Sequence, residues 1–127
     1  MISVTQTRTG ANGNCWPSAV ASILEIPLSE IPEFSTEPDQ WLVGVQEWLA
    51  TLGLYYVQVK PDDPALQAAF RSGGTVWTVM EGMSPRGGQH AIVAKNGEPY
   101  FDPHPQDGTG RMLVNVACYG LLCARFA

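Results

Sequence analysis

The chain predicts an α+β domain in which helices lead and an antiparallel β-sheet follows. Apolar residues recur at helical spacing in the first half. They do so at Trp16, Val20, Ile23 and Leu24, and again at Trp41, Leu42, Val45, Trp48, Leu49 and Leu52. The second half changes character, with short Val-, Ile- and Tyr-rich runs separated by Gly, Pro, Asn and Asp. Helices first and strands later is the order expected of an α+β fold. At 127 residues and 45% hydrophobic, the chain is long enough to bury one core, and a single domain over 1–127 is expected.

Residues 2–6 alternate weakly and suggest a short edge strand. Residues 9–14 are a loop by composition. A helix is expected over 15–25, with Asn12 or Asn14 as its cap and Pro17 tolerated in the first turn. Residues 26–32 read as a connector pinned to the core by its apolar residues. The strongest helix covers 38–52 and stops at Gly53. Its Trp41/Trp48 face is expected to be core rather than a ligand platform. Residues 54–59 form a strand, and Asp62-Asp63-Pro64 opens a short helix closed by Gly73-Gly74. Strands are expected at 75–80, 89–94 and 98–102, then at 111–116 and 119–126, with loops at 81–88 and 102–110.

The formal charge of −5, with its few basic residues scattered, argues against a general nucleic-acid binder. Three cysteines do not suggest a disulfide framework and fit a reducing compartment. No apolar signal core or run of membrane-spanning length is present, so a soluble, cytoplasmic protein without a membrane partner is expected.

Candidate chemistry starts at Asn12-Gly13-Asn14-Cys15-Trp16. A thiol at a helix start meets backbone N–H groups and the positive end of the helix dipole, which favour the thiolate. Such a thiol needs a neighbouring imidazole and a group orienting it. His90 opens one predicted strand and Asp102 ends the next. A two-residue turn at Asn96-Gly97 would pair 95 with 98 and turn Asp102 to the opposite face from His90. A three-residue Lys95-Asn96-Gly97 loop with a G1 bulge would pair 94 with 98 and set His90 opposite Asp102. The second register is the expectation. Oxyanion donors would be the Cys15 backbone N–H and a side-chain amide from Gln6, Asn12 or Asn14.

Gly13-Asn14-Cys15-Trp16 resembles the nucleophile segment of papain-like cysteine peptidases. Asn12-Gly13-Asn14-Cys15 also resembles the Asp-Gly-Asn-Cys segment of ovarian-tumour-type deubiquitinases. His90-Ala91-Ile92-Val93 followed by Asp102-Pro103 is similar to the bacteriocin-processing (double-glycine leader) peptidases. The resemblance covers about 13–31 and 87–105. It implies a papain-like fold, with Cys15 as nucleophile, His90 as base and acid, and Asp102 as its orienting partner. Such families place an oxyanion-hole Gln shortly before the Cys. Thr9 stands at the usual spacing here, and Gln6 lies further upstream. Under the ovarian-tumour pattern Asn12 would replace an Asp. Trp16 would take the place of the aromatic that follows the Cys.

The expected activity is thiol hydrolysis of a peptide or isopeptide bond, with a peptide or protein substrate and no cofactor. Amidase, deamidase or acyl-transfer chemistry would use the same residues. A binding or inhibitor protein would keep the fold without turnover. His104 is a rival base, expected to be exposed between prolines. A zinc site is disfavoured because no Cys-x-x-Cys exists, and Cys118 and Cys123 would point to opposite strand faces.

Overall fold

The computed structural model describes residues 1–10, 13–105 and 113–126. Among them are three α-helices, one 3₁₀ turn and a five-stranded antiparallel sheet: α1 (Cys15–Leu24), the 3₁₀ turn (Leu28–Glu30), α2 (Pro38–Thr51), β1 (Leu54–Val59), α3 (Pro64–Arg71), β2 (Trp77–Met83), β3 (Gln89–Lys95), β4 (Glu98–Phe101) and β5 (Cys118–Ala124). The sheet order is β1-β5-β2-β3-β4. The α+β expectation and most element positions hold. Among the described residues, no helix is long and apolar enough to cross a membrane.

The sheet is buried on both faces, so its strands carry alternating sets of core residues. Tyr56, Val79, Ala91 and Val93 pack against Trp16, Ala19 and Val20 of α1 and Val45 and Leu49 of α2. Met80, Ile92, Ala94 and Tyr119 meet Leu66 and Phe70 of α3. The Asp63 carboxylate caps α3 by accepting from the Leu66 N–H at 2.9 Å. At the sheet edge, the Gln46 side chain both donates to the Tyr56 carbonyl and accepts from the Tyr56 N–H, as a neighbouring strand would.

Four expectations need correction. Residues 2–6 form no strand. They lie along α1, with Ile2 N–H donating to the Ser22 carbonyl and Val4 N–H to the Ser22 hydroxyl. Ser22 in turn donates to the Ser18 carbonyl at 2.8 Å. Alternation over so few residues cannot specify a strand when a helix supplies the acceptors instead. The strand expected over 111–116 is absent over 113–116, and residues 111–112 lie outside the described set. Val114 and Ala117 bond to the carbonyls of Met83 and Glu81 without forming a regular strand. Third, β2 runs on to Met83, into the expected loop.

The fourth correction concerns the β3–β4 register. Lys95 pairs with Glu98, so the turn has two residues, and both Asn96 (φ 50°) and Gly97 (φ 84°) take positive φ. The three-residue loop is not formed. The Asn96 amide explains the choice: it accepts from Val76 N–H and donates to the Gly74 carbonyl, holding Asn96 inside the turn. A bulge then falls one pair further on. Ala94 faces Pro99 but Val93 faces Phe101, leaving Tyr100 unpaired. Asp102 follows Phe101 just beyond the end of β4, and its carboxylate lies 2.7 Å from the His90 ring. The site condition is thus met by a bulge inside the strand rather than by one at the turn.

Candidate active site

Cys15 begins α1, and Asn14 occupies the N-cap position. Asn14 does not cap the helix through its side chain, contrary to expectation. Its amide is spent on the incoming strap. Oδ1 accepts from the N–H groups of Thr7 and Arg8, and Nδ2 donates to the Thr7 hydroxyl. Asn14 therefore fixes the segment before the thiol rather than aiming a donor at it. The other proposed cap and oxyanion candidate, Asn12, lies outside the described residues.

Gln6 is drawn into the same place from two sides. Its backbone N–H donates to the Pro103 carbonyl, next to Asp102. Its Nε2 donates to the Arg8 carbonyl at 2.7 Å, and that carbonyl also accepts from Asn14 N–H. The Gln6 side chain is thus buried next to the peptide that leads into Cys15.

His90 is buried, and its Nε2 lies 2.7 Å from Asp102 Oδ1. The Asp102 side chain is fully buried. The same Oδ1 accepts from the His104 backbone N–H at 2.9 Å. The Cys15 thiol lies close enough to the His90 ring to help raise its pKa. With Nε2 committed to Asp102, Nδ1 is the nitrogen left for the sulfur. Burial opposes a charge on this ring, but the Asp102 hydrogen bond and the Cys15 contact outweigh it and raise His90 to about 9. The structure therefore brings Cys15, His90 and Asp102 into one chain of contacts.

Trp16 points away from this chain and into the core, with its ring edge-on to Phe34, Trp41 and Tyr56 at 6.0, 5.1 and 5.3 Å. Cys15 itself is half-buried and lies in the wall of a cleft of about 820 Å³. Trp41 lines that cleft too, so one of the two tryptophans expected to be only core is in part a cleft wall.

His104 is half-buried, and its ring stands 6.4 Å from that of His90 at a steep angle. Burial and the nearby Arg86 hold its pKa below the ordinary histidine value. Two contributors were not singled out from sequence. Ser22 anchors the strap that carries Gln6, and the His104 backbone N–H holds Asp102. A serine on the inward face of a helix is a weak signal, and a backbone donor leaves none.

Cys118 sits elsewhere, donating to Glu81 Oε2, which also accepts from the Tyr56 hydroxyl. Burial and the Glu81 charge push the Cys118 thiol up to about 12. Among the described residues, no group of three or more His, Cys, Asp or Glu side chains is arranged to hold a metal ion.

Comparison of the chain with protein-family models, with curated proteins and with solved structures finds no match.

Proposed function

We propose that this chain is a papain-like thiol hydrolase, with Cys15 as nucleophile, His90 as proton carrier and Asp102 as its orienting partner, acting on a peptide or isopeptide bond. One observation carries the reading. A thiol at a helix start lies beside an imidazole whose Nε2 is held 2.7 Å from a fully buried carboxylate. Core packing alone does not call for a buried carboxylate and imidazole beside a half-exposed thiol, since each costs desolvation.

The resting proton resides on His90, so this residue acts first as an acid rather than a base. Cys15 sulfur attacks the acyl carbon, an S–C bond forms, and the carbonyl oxygen gathers negative charge. The Cys15 backbone N–H and the second N–H of the Gln6 amide are the candidate donors to that oxygen. As the C–N bond breaks, His90 gives its proton to the leaving amine. Water then attacks the thioester carbon and returns a proton to His90. The S–C bond breaks and the carboxylic acid leaves.

The test is iodoacetamide alkylation of Cys15 across pH in the wild type, His90→Ala and Asp102→Asn. The wild type should react well below pH 7, and both variants should shift towards ordinary thiol behaviour. If Cys15 reacts like a free thiol of pKa ~8.5 in all three, the reading fails.

A further inference from the structure

We infer that the cleft beside Cys15 receives the acyl side of the substrate and selects an uncharged apolar side chain, aliphatic or aromatic. The inference rests on the thiol-hydrolase reading and adds a substrate class to it.

Direction comes first. Cys15 lies in the cleft wall, whereas His90 and Asp102 do not line the cleft. His90 must deliver its proton to the departing amine, so the amine lies on the His90 side of the sulfur. The acyl portion then extends the other way, into the cleft.

The lining sets the chemistry. Trp16, Leu28, Ile31, Phe34 and Trp41 supply the apolar walls. Trp16 is held edge-on by both Phe34 and Trp41, so three rings fix one another before any ligand arrives. A cleft of about 820 Å³ falls in the range of preformed ligand sites. Among the described residues two charged side chains line it, Arg8 and Glu33, and they pair with each other at 2.9 Å. The charges lining the cleft among the described residues therefore offset each other. A charged substrate side chain entering it would lose water without gaining a counter-ion.

The experiment compares three alkylating reagents on the whole chain: iodoacetamide, N-benzyl iodoacetamide and N-(4-carboxybenzyl) iodoacetamide. In each, the sulfur displaces iodide and a thioether forms, so only the appended group differs. Rates are divided by those with free cysteine. The benzyl reagent should outpace iodoacetamide by ~10-fold or more, as expected for burying one ring. The carboxybenzyl reagent should lose that advantage. Ile31→Glu or Phe34→Ala should reduce the preference. The wild-type comparison stands without them should either fail to fold. Normal activation with no benzyl preference, or with equal preference for the carboxylate, overturns this inference alone. An unactivated thiol in the iodoacetamide pH series overturns the reading beneath it, whatever the preference.

Discussion

Asp102 Oδ1 lies 2.7 Å from His90 Nε2, inside a site where the carboxylate side chain has no exposure. Asp102→Asn keeps the shape and removes the charge. His90 should fall from about 9 towards its ordinary value, and alkylation of Cys15 at pH 6 should slow ~10-fold or more. Nuclear magnetic resonance titration of the His90 ring protons checks the shift directly.

The same pair makes stability depend on pH. His90 is raised in the folded state, so its contribution is full below its unfolded value near 6.5 and is lost as pH rises through about 9. The size is on the order of 3 kcal/mol. Urea unfolding of the wild type should weaken between pH 6.5 and 9, and Asp102→Asn should flatten that change. A wild-type midpoint that rises over this window would contradict the assignment.

Gln6 and thiol reactivity should separate. With Gln6 as the proposed oxyanion donor, Gln6→Ala should cost about 10²–10³ in kcat. Alkylation by iodoacetamide forms no oxyanion, so its rate should change little. Hydrolysis of p-nitrophenyl esters of N-acyl amino acids, set beside alkylation, distinguishes the two. Equal losses in both would mean that Gln6 only supports the loop.

Ser22→Ala should loosen the strap that carries Gln6. It leaves Val4 N–H without its acceptor beneath a buried helix face, at a cost of about 1–2 kcal/mol. Urea unfolding gives the magnitude, and faster amide exchange at Val4 gives the location. Unchanged exchange there would show that another group replaces the hydroxyl.

Cys118 should stay silent while Cys15 reacts. Its thiol is pushed up to about 12, so at pH 7 its thiolate is negligible. Peptide mapping after brief iodoacetamide treatment should find the label on Cys15 and essentially none on Cys118. Comparable labelling of both would remove the electrostatic distinction between them.

The elements were legible where one period dominated. The stripe from Trp41 to Leu49 and the Tyr-rich run 54–59 became α2 and β1 with little change. The candidate residues Cys15, His90 and Asp102 were legible because thiol, imidazole and carboxylate each stand at an element boundary. The path between His90 and Asp102 was not. Asn-Gly suits two turn lengths, and the choice was made by Asn96 bonding to residues 74 and 76, far away in sequence. Asn14 misled in a related way. An Asn before a helix reads as a cap, but its amide was claimed by the backbone of Thr7 and Arg8. The dual role of Trp41 depends on which side the 28–36 connector passes, and local spacing carries no record of that.

The unpaired Tyr100 gives the hairpin a tolerance that runs in one direction only. Between the Asn96-Gly97 turn and Asp102 the chain holds one residue more than a regular ladder would use. Deleting Tyr100 should therefore leave Phe101 across from Val93 and Asp102 still beside His90, with the alkylation profile of Cys15 preserved. Adding a residue in β4 offers no such refuge: without a second bulge it turns the carboxylate to the other side of the sheet. Shortened hairpins are compatible with this site, and lengthened ones are not.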